Sequence, residues 1–410
     1  MSKTPLFVKI ARPSVRAFLQ RHYHIQTKGL DAISQVDGPF LVLSNHVHVL
    51  DPFFISAIFP HHIRWVAGSY LVKNPLLGFV LRSWVKVLSK QQGRSDLQTI
   101  REITRALKNG DVVGLFPEGT RTWDGEALPF NASTAKLVKL LQVPVVCINL
   151  EGGYMLKPRW ASFPRRGKLT IRVFPPLGVD TITQMPTGDL ATLISDRLSF
   201  SNRVWTKRKS RIFPAQGRRA EGLQRLLYLC PSCGARSALV TAGDTVECSQ
   251  CALTVRLDAH DQLHVLQGAC SFNDVSAWHS WEQQELAKLA LASAGKADEP
   301  LFPPDTGTLL QIGRGMRFIT LTRRFELSLT QRSIILCRRD KRGGSFLGAS
   351  RVLEFPFSDI QSVIIAAKGS MELFLNNILY RIRIDESACI LKYLEYYQMG
   401  KNLVQVEEVE

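Results

Sequence analysis

Apolar and polar positions alternate along this chain in blocks of changing period. Leu41, Val42 and Leu43 form a continuous apolar run of strand length that ends in the polar turn Ser44-Asn45-His46, and Phe53 to Phe59 then reads as a helix. Ile63 to Ala67 predicts a strand and Asn74 to Trp84 a helix. Leu97, Ile100, Ile103 and Leu107 recur at helical spacing, with Asn109-Gly110 as the stop signal. Val112 and Val113 open another strand, followed by a helix over 130–141, a strand over 143–149 and one over 168–174 before Pro175-Pro176. Strands alternating with helices predict an α/β domain with a largely parallel sheet, whose sites gather at the strand ends.

The period changes in the second half. Arg203, Lys207, Arg208, Lys209, Arg211, Arg218 and Arg219 crowd together with Pro214 and Gly217, which marks a basic linker over 201–225 after a first domain over 1–200. A small module over 226–270 holds two Cys-x2-Cys pairs. Trp278, Trp281, Leu286 and Leu289 predict an amphipathic helix within a helix-and-linker stretch over 271–305. Over 306–400 come several short alternating runs and then a helix with Ile390, Leu391, Leu394 and Tyr397 on its apolar side. This mostly-β order with a terminal helix looks like a pleckstrin-homology-like barrel. Arg323, Arg324, Arg338, Arg339, Lys341 and Arg342 would form its basic rim, or a charged edge that discourages strand pairing.

Composition narrows the partners. The 410 residues are 45% hydrophobic, enough for two or three domains with real cores. A net charge of +17 and a pI of about 9.7 call for an anionic partner: nucleic acid, anionic lipid or a phosphorylated substrate. No uncharged apolar run reaches the ~18 residues of a spanning helix, and the N-terminus is too short in apolar residues for a secretory signal. Residues 5–23 instead place Leu6, Ile10 and Phe18 among Lys9, Arg12, Arg16 and Arg21, with Pro13 restarting a second short helix. Such a segment lies in a headgroup layer or packs as an ordinary surface helix. The expectation is a protein held peripherally at the cytoplasmic face of a membrane.

Three clusters carry chemistry. His46 at the end of a buried strand, with Asp51 five residues on, suits a base whose tautomer is fixed by a carboxylate. Asp51 before Pro52 equally suits a helix N-cap. Phe116-Pro117-Glu118-Gly119-Thr120-Arg121 follows a strand and combines glycine, hydroxyl and guanidinium, the makings of a phosphate-holding turn; its plain alternative is a solvated turn with a Glu118–Arg121 ion pair. Cys230, Cys233, Cys248 and Cys251 have the spacing of a tetrahedral structural zinc site of the ribbon type, with disulfides as the alternative in an oxidising compartment. Asp244, Glu247, Asp258 and Asp261 leave the ribbon mixed in charge, which disfavours nucleic acid as its partner.

The two blocks, in this order, make the first half of the chain resemble the glycerolipid acyltransferase superfamily typified by lysophosphatidate acyltransferase. Asn45, His46 and Asp51 match its Asn-His-x4-Asp motif, and residues 116–121 match its Phe-Pro-Glu-Gly-Thr-Arg block. Ser89 to Asp96 stands where the family carries an arginine-bearing stretch, with Arg94 the matching residue, and Val143-Pro144-Val145-Val146 matches a fourth block. The chain departs at His48, where many members have serine, and at Cys147, where proline is frequent. The resemblance implies O-acyl transfer from acyl-coenzyme A or an acyl-carrier protein to the hydroxyl of a lysophosphatidate-like glycerolipid, with transfer to another lysolipid or an amino-acid lipid, or a non-catalytic lipid-binding adaptor, as the alternatives. His46 would be the general base and Asp51 its orienter, Glu118, Gly119, Thr120 and Arg121 would hold the acceptor, and Arg94 would be a second cation. The implied partners are the lysophospholipid acceptor and an anionic membrane surface.

Overall fold

The computed structural model describes residues 4–36, 38–68, 78–90, 97–130, 133–209, 211–293, 298–314, 317–338, 351–367 and 369–407. It divides into two units, one comprising 1–159 and 163–215, the other 160–162 and 216–410.

The first unit is built on a sheet of β1 (Gln26–Lys28), β2 (Leu41–Ser44), β3 (Ile63–Gly68), β4 (Leu88–Lys90), β5 (Val112–Leu115), β6 (Val145–Glu151) and β7 (Thr170–Val173). Their spatial order is β1-β7-β6-β2-β5-β3-β4, and every pairing is parallel except β6 with β7. β2 therefore lies between β5 and β6. Its alternate residues feed two cores: Phe40 and Val42 pack with Phe54, Ile55 and Ile148 on one face, Leu41 and Leu43 with Ile103, Val113 and Val138 on the other. Burial on both faces is why the run reads as continuously apolar.

Helix α1 (Leu6–Tyr23) runs unbroken through Pro13, so the expected restart at that proline does not occur. The proline removes one backbone donor, and the helix holds because Leu19 is buried and Arg12 grips the carbonyls of Phe59, Pro60 and His61 just past α2 (Asp51–Ile58). Leu6, Ile10 and Phe18 are exposed. Helices α3 (Leu97–Lys108) and α4 (Ser133–Leu141) follow the predicted spacing. The expected helix over 74–84 is a π-helical turn, Val80–Trp84, within the described residues, and 74–77 lie outside them.

Two helices not read in the pattern, α5 (Val179–Gln184) and α6 (Thr187–Leu198), complete the layer; α6 buries Leu190, Ile194 and Leu198 at four-residue steps. The stretch 201–225 is not the solvated linker its charge suggests. It holds α7 (Asn202–Lys209), with Asn202, Trp205 and Thr206 buried, and then buried Phe213 and Ala215, and the two units divide after Ala215. Its aromatic residues outweigh the surrounding cations.

The second unit begins with a four-stranded antiparallel sheet ordered β11-β10-β9-β8, comprising β8 (Leu239–Ala242), β9 (Thr245–Cys248), β10 (Thr254–Leu257) and β11 (Leu263–Gln267). Helix α8 (Val275–Ala292) holds the segment before the sheet: Trp278 Nε1 donates to the Leu229 carbonyl at 3.1 Å, and buried Glu282 accepts the N–H groups of Tyr228 and Leu229. A larger antiparallel sheet follows. It comprises β12 (Asp305–Arg314), β13 (Arg317–Thr322), β14 (Phe325–Leu329), β15 (Ser333–Arg338), β16 (Arg351–Pro356), β17 (Ile360–Ala367), β18 (Ser370–Leu375) and β19 (Ile378–Ile384). Its order is β16-β15-β14-β12-β19-β18-β17, with β13 on β12.

Helix α9 (Leu391–Glu407) is tied to this sheet by fully buried Lys392, paired with Asp305 at 2.8 Å, and by Tyr397, whose hydroxyl donates to the Ile360 carbonyl. Each of these buried groups thus has the other as its partner. Of the expected basic rim, Arg323 and Arg324 are exposed, while Arg339, Lys341 and Arg342 lie outside the described residues. Among the described residues no helix is long and apolar enough to cross a membrane.

Candidate active site

The register of β2 assembles the site. Leu43 pairs with Leu115 of β5 and with Cys147 of β6, all in parallel, so the turns leaving β2 and β5 emerge side by side at the carboxyl end of the sheet. Three residues past each paired leucine stand His46 and Glu118.

His46 Nδ1 donates to Asp51 Oδ2 at 2.8 Å, which places the ring's lone pair on Nε2. The same Oδ2 accepts the N–H groups of Val47 and His48, each at 2.8 Å. Asp51 is wholly buried at the start of α2, and its side chain turns back to the histidine turn and does not cap the helix. The imidazole lies against the Phe116 ring, centroids 4.1 Å apart at 17°, and Phe116 lies against Trp65 at 4.8 Å and 11°. The side chain of His46 keeps 20% exposure. Burial lowers its pKa; Asp51 opposes this, while Arg121 and Arg159 push it down further. The ring is thus held neutral and ready to accept a proton.

Glu118 Oε1 accepts the backbone N–H of His46 at 3.1 Å, and burial raises its carboxyl to about 8. This contact holds the histidine turn in place. Gly119 has a left-handed φ of 69°, and its N–H closes on the Phe116 carbonyl. Thr120 is exposed and Arg121 half-buried, close enough to His46 to act on its charge. Arg94 lies outside the described residues.

Asn149 and Arg159 carried no sequence signal, and His48 stood out only as a departure. Asn149 on β6 accepts from Asn45 Nδ2 and spreads its own amide over the carbonyls of Arg197, Leu198 and Ser199, while Asn45 Oδ1 takes the Leu150 N–H. Arg159 reaches Thr120 Oγ1 at 2.8 Å. His48, a departure from the family pattern, is buried with Nδ1 accepting the Leu50 N–H, and burial brings it down to about 4.

Residues 24–151 match the family model described as Acyltransferase. The matched stretch lies within the first unit. A 1-acyl-sn-glycerol-3-phosphate acyltransferase of Saccharomyces cerevisiae is 26% identical over 39% of this chain and 54% of its own length; one from Limnanthes alba is 28% identical over 38% and 56%. The chain therefore spans about half the length of these curated relatives. A solved 1-acyl-sn-glycerophosphate acyltransferase from Thermotoga maritima is 22% identical, covering 50% of this chain and 81% of that one at a TM-score of 0.41. The stretch matched by the family model contains both turns of the site.

The second unit brings Cys230, Cys233, Cys248 and Cys251 together, all four Sγ atoms within 4.8 Å of one another. Cys230 and Cys251 are 3.7 Å apart, Cys233 and Cys248 3.8 Å. Four thiolates at the usual Zn–S distance of about 2.3 Å span tetrahedral edges of about 3.8 Å. The separations suit one tetrahedral ion and are well beyond a disulfide bond.

Proposed function

We propose that this chain transfers a fatty acyl group from an acyl thioester, acyl-coenzyme A or an acyl-carrier protein, to the hydroxyl of a lysophosphatidate-like glycerolipid, working peripherally at the cytoplasmic face of an anionic membrane. The observation that carries the reading is His46 hydrogen-bonded through Nδ1 to buried Asp51 and set beside the turn that bears Arg121. His46 Nε2 takes the acceptor hydroxyl proton as that oxygen attacks the thioester carbon. Asp51 holds the ring's tautomer and steadies the imidazolium. The thiolate leaves with the proton returned by His46, and no acyl-enzyme forms. Arg121 holds the acceptor phosphate. Exposed Leu6, Ile10 and Phe18 of α1 support insertion of that helix into the headgroup layer, where both lysolipid and product reside.

In the second unit, a structural zinc ion held by Cys230, Cys233, Cys248 and Cys251 would close the ribbon. The enzymatic reading is tested with purified wild-type and His46→Ala protein in mixed micelles, offering labelled acyl-coenzyme A and acyl-carrier donors against a panel of lysolipids. Transfer to lysophosphatidate that disappears in the variant is the expected result. No transfer from any pair by a folded chain would overturn the reading.

A further inference from the structure

The turn that faces the acceptor is gripped from beneath by a residue 38 positions beyond it. Arg159 is only 9% exposed. Its Nη1 donates to Thr120 Oγ1 at 2.8 Å and to the Arg121 carbonyl at 3.1 Å, and its guanidinium lies over the Trp123 ring with Cζ 4.3 Å from the centroid. One planar group thus engages residues 120, 121 and 123.

The turn itself lies open to solvent. Gly119 allows a left-handed backbone with open space around its Cα, and Gly119 and Thr120 are exposed. The backbone bonds at its ends, Gly119 N–H to the Phe116 carbonyl and Thr122 N–H to the His46 carbonyl, fix residues 119 and 122, and Arg159 adds its contacts to 120 and 121 between them. A flexible loop binds a ligand only after losing that freedom, so a preformed turn binds more tightly.

We propose that Arg159 is a positioning residue for the acceptor phosphate: by clasping Thr120 Oγ1 and the Arg121 carbonyl it pre-sets the turn so that Arg121 meets the phosphate group. The inference rests on the acceptor reading given above and adds its determinant. Lysine cannot replace it, because an ammonium offers no plane to stack on Trp123 while donating in two directions.

Equilibrium binding needs no turnover, so it tests this step separately from acyl transfer. The full chain in detergent micelles is titrated with lysophosphatidate and, in parallel, with the matching monoacylglycerol, which lacks the phosphate. Arg159→Gln should bind lysophosphatidate about tenfold more weakly, the scale of one lost charge-assisted contact, with monoacylglycerol binding and thermal unfolding nearly unchanged. Arg159→Lys should recover only part of the loss. Thr120→Val should weaken phosphate-dependent binding alone, and should add little to Arg159→Gln because the two residues act through one contact. Wild-type affinity in Arg159→Gln, equal loss of both ligands, or full rescue by lysine would each overturn the proposal, as would a wild-type chain indifferent to the phosphate. Phosphate-selective binding that follows Arg159, in a chain that transfers no acyl group, would leave this proposal standing and overturn the catalytic one.

Discussion

The backbone N–H of His46 donates to the side chain of Glu118, 72 residues later in the chain, at 3.1 Å. The contact follows from a parallel register: with Leu43 beside Leu115, equal steps along β2 and β5 bring positions 46 and 118 together. One motif therefore holds the other. Asp51 anchors the histidine turn from within and Glu118 from the turn that follows the neighbouring strand.

Removing the base tests the chemistry directly. His46→Ala should lower kcat by about 10²–10⁴-fold, the usual contribution of a positioned general base. Asp51→Asn should fall in the same range, since a carboxamide oxygen can still accept the three N–H groups that meet Oδ2 but brings no negative charge to steady the imidazolium. Single-turnover kinetics with saturating acceptor checks both, and near-normal turnover in His46→Ala would remove it from the mechanism.

The pH profile should carry the same residue's signature. Burial depresses His46 below the ordinary imidazole value of 6.5, and Arg121 contributes in the same direction. The acidic limb of kcat/KM should therefore have its midpoint below 6.5, with activity lost as pH falls through it. Arg121→Ala should move that midpoint upward while raising the acceptor KM. A midpoint above 7 in the wild type would contradict the assignment.

Much of the first unit was legible because its signals are local. The apolar run at Leu41 to Leu43, the helical spacing of α3 and the Asn109-Gly110 stop each depend on a few adjacent residues, and the sheet is the largely parallel one they imply. Distant pairings left no trace. Asn149 and Arg159 join the site through contacts spanning 104 and 39 residues, and nothing near either one marks it as a partner of residues 45 or 120. Charge misled at 201–215, where Trp205 and Phe213 are buried despite the arginines and lysines around them. Antiparallel β7 also went unread as such, because a short strand with Ile171 and Val173 inward has the same pattern in either direction.

Gly114 offers a packing test of the site's floor. A Cβ there would fall 2.6 Å from Trp65 Cε3 and 2.7 Å from Ile63 Cγ2. Gly114→Ala should destabilise the chain by about 1–3 kcal/mol through overpacking and displace Trp65, and with it Phe116 and the stacked His46 ring. Thermal unfolding together with kcat measures both effects. A loss of stability with undiminished kcat would show that the aromatic stack does not set the imidazole's position.

Metal removal addresses the ribbon. The purified chain should carry about one zinc per molecule by elemental analysis, consistent with four cysteines at tetrahedral separations. Chelation or Cys233→Ser should release it and lower the unfolding temperature of the second unit, because the ion's binding energy is folding energy for so small a sheet. A metal-free chain with four reduced thiols and unchanged unfolding would refute the assignment.

Glu118 makes the contact to His46 measurable as a pH dependence of stability. Its folded carboxyl titrates at about 8, raised by burial from the ordinary 4.5. A raised acid favours the proton in the folded state, so its contribution is fully present below 4.5 and is lost as pH climbs through about 8. Wild-type stability should therefore decline across that window. Glu118→Gln keeps an oxygen to accept the His46 N–H but has no proton to lose, and it should flatten the decline while leaving the fold intact. Urea unfolding at several pH values between 5 and 9 makes the comparison. Equal slopes in wild type and variant would mean that the carboxyl is ionised in the folded chain, and that His46 is held by a charge and not by a neutral acid.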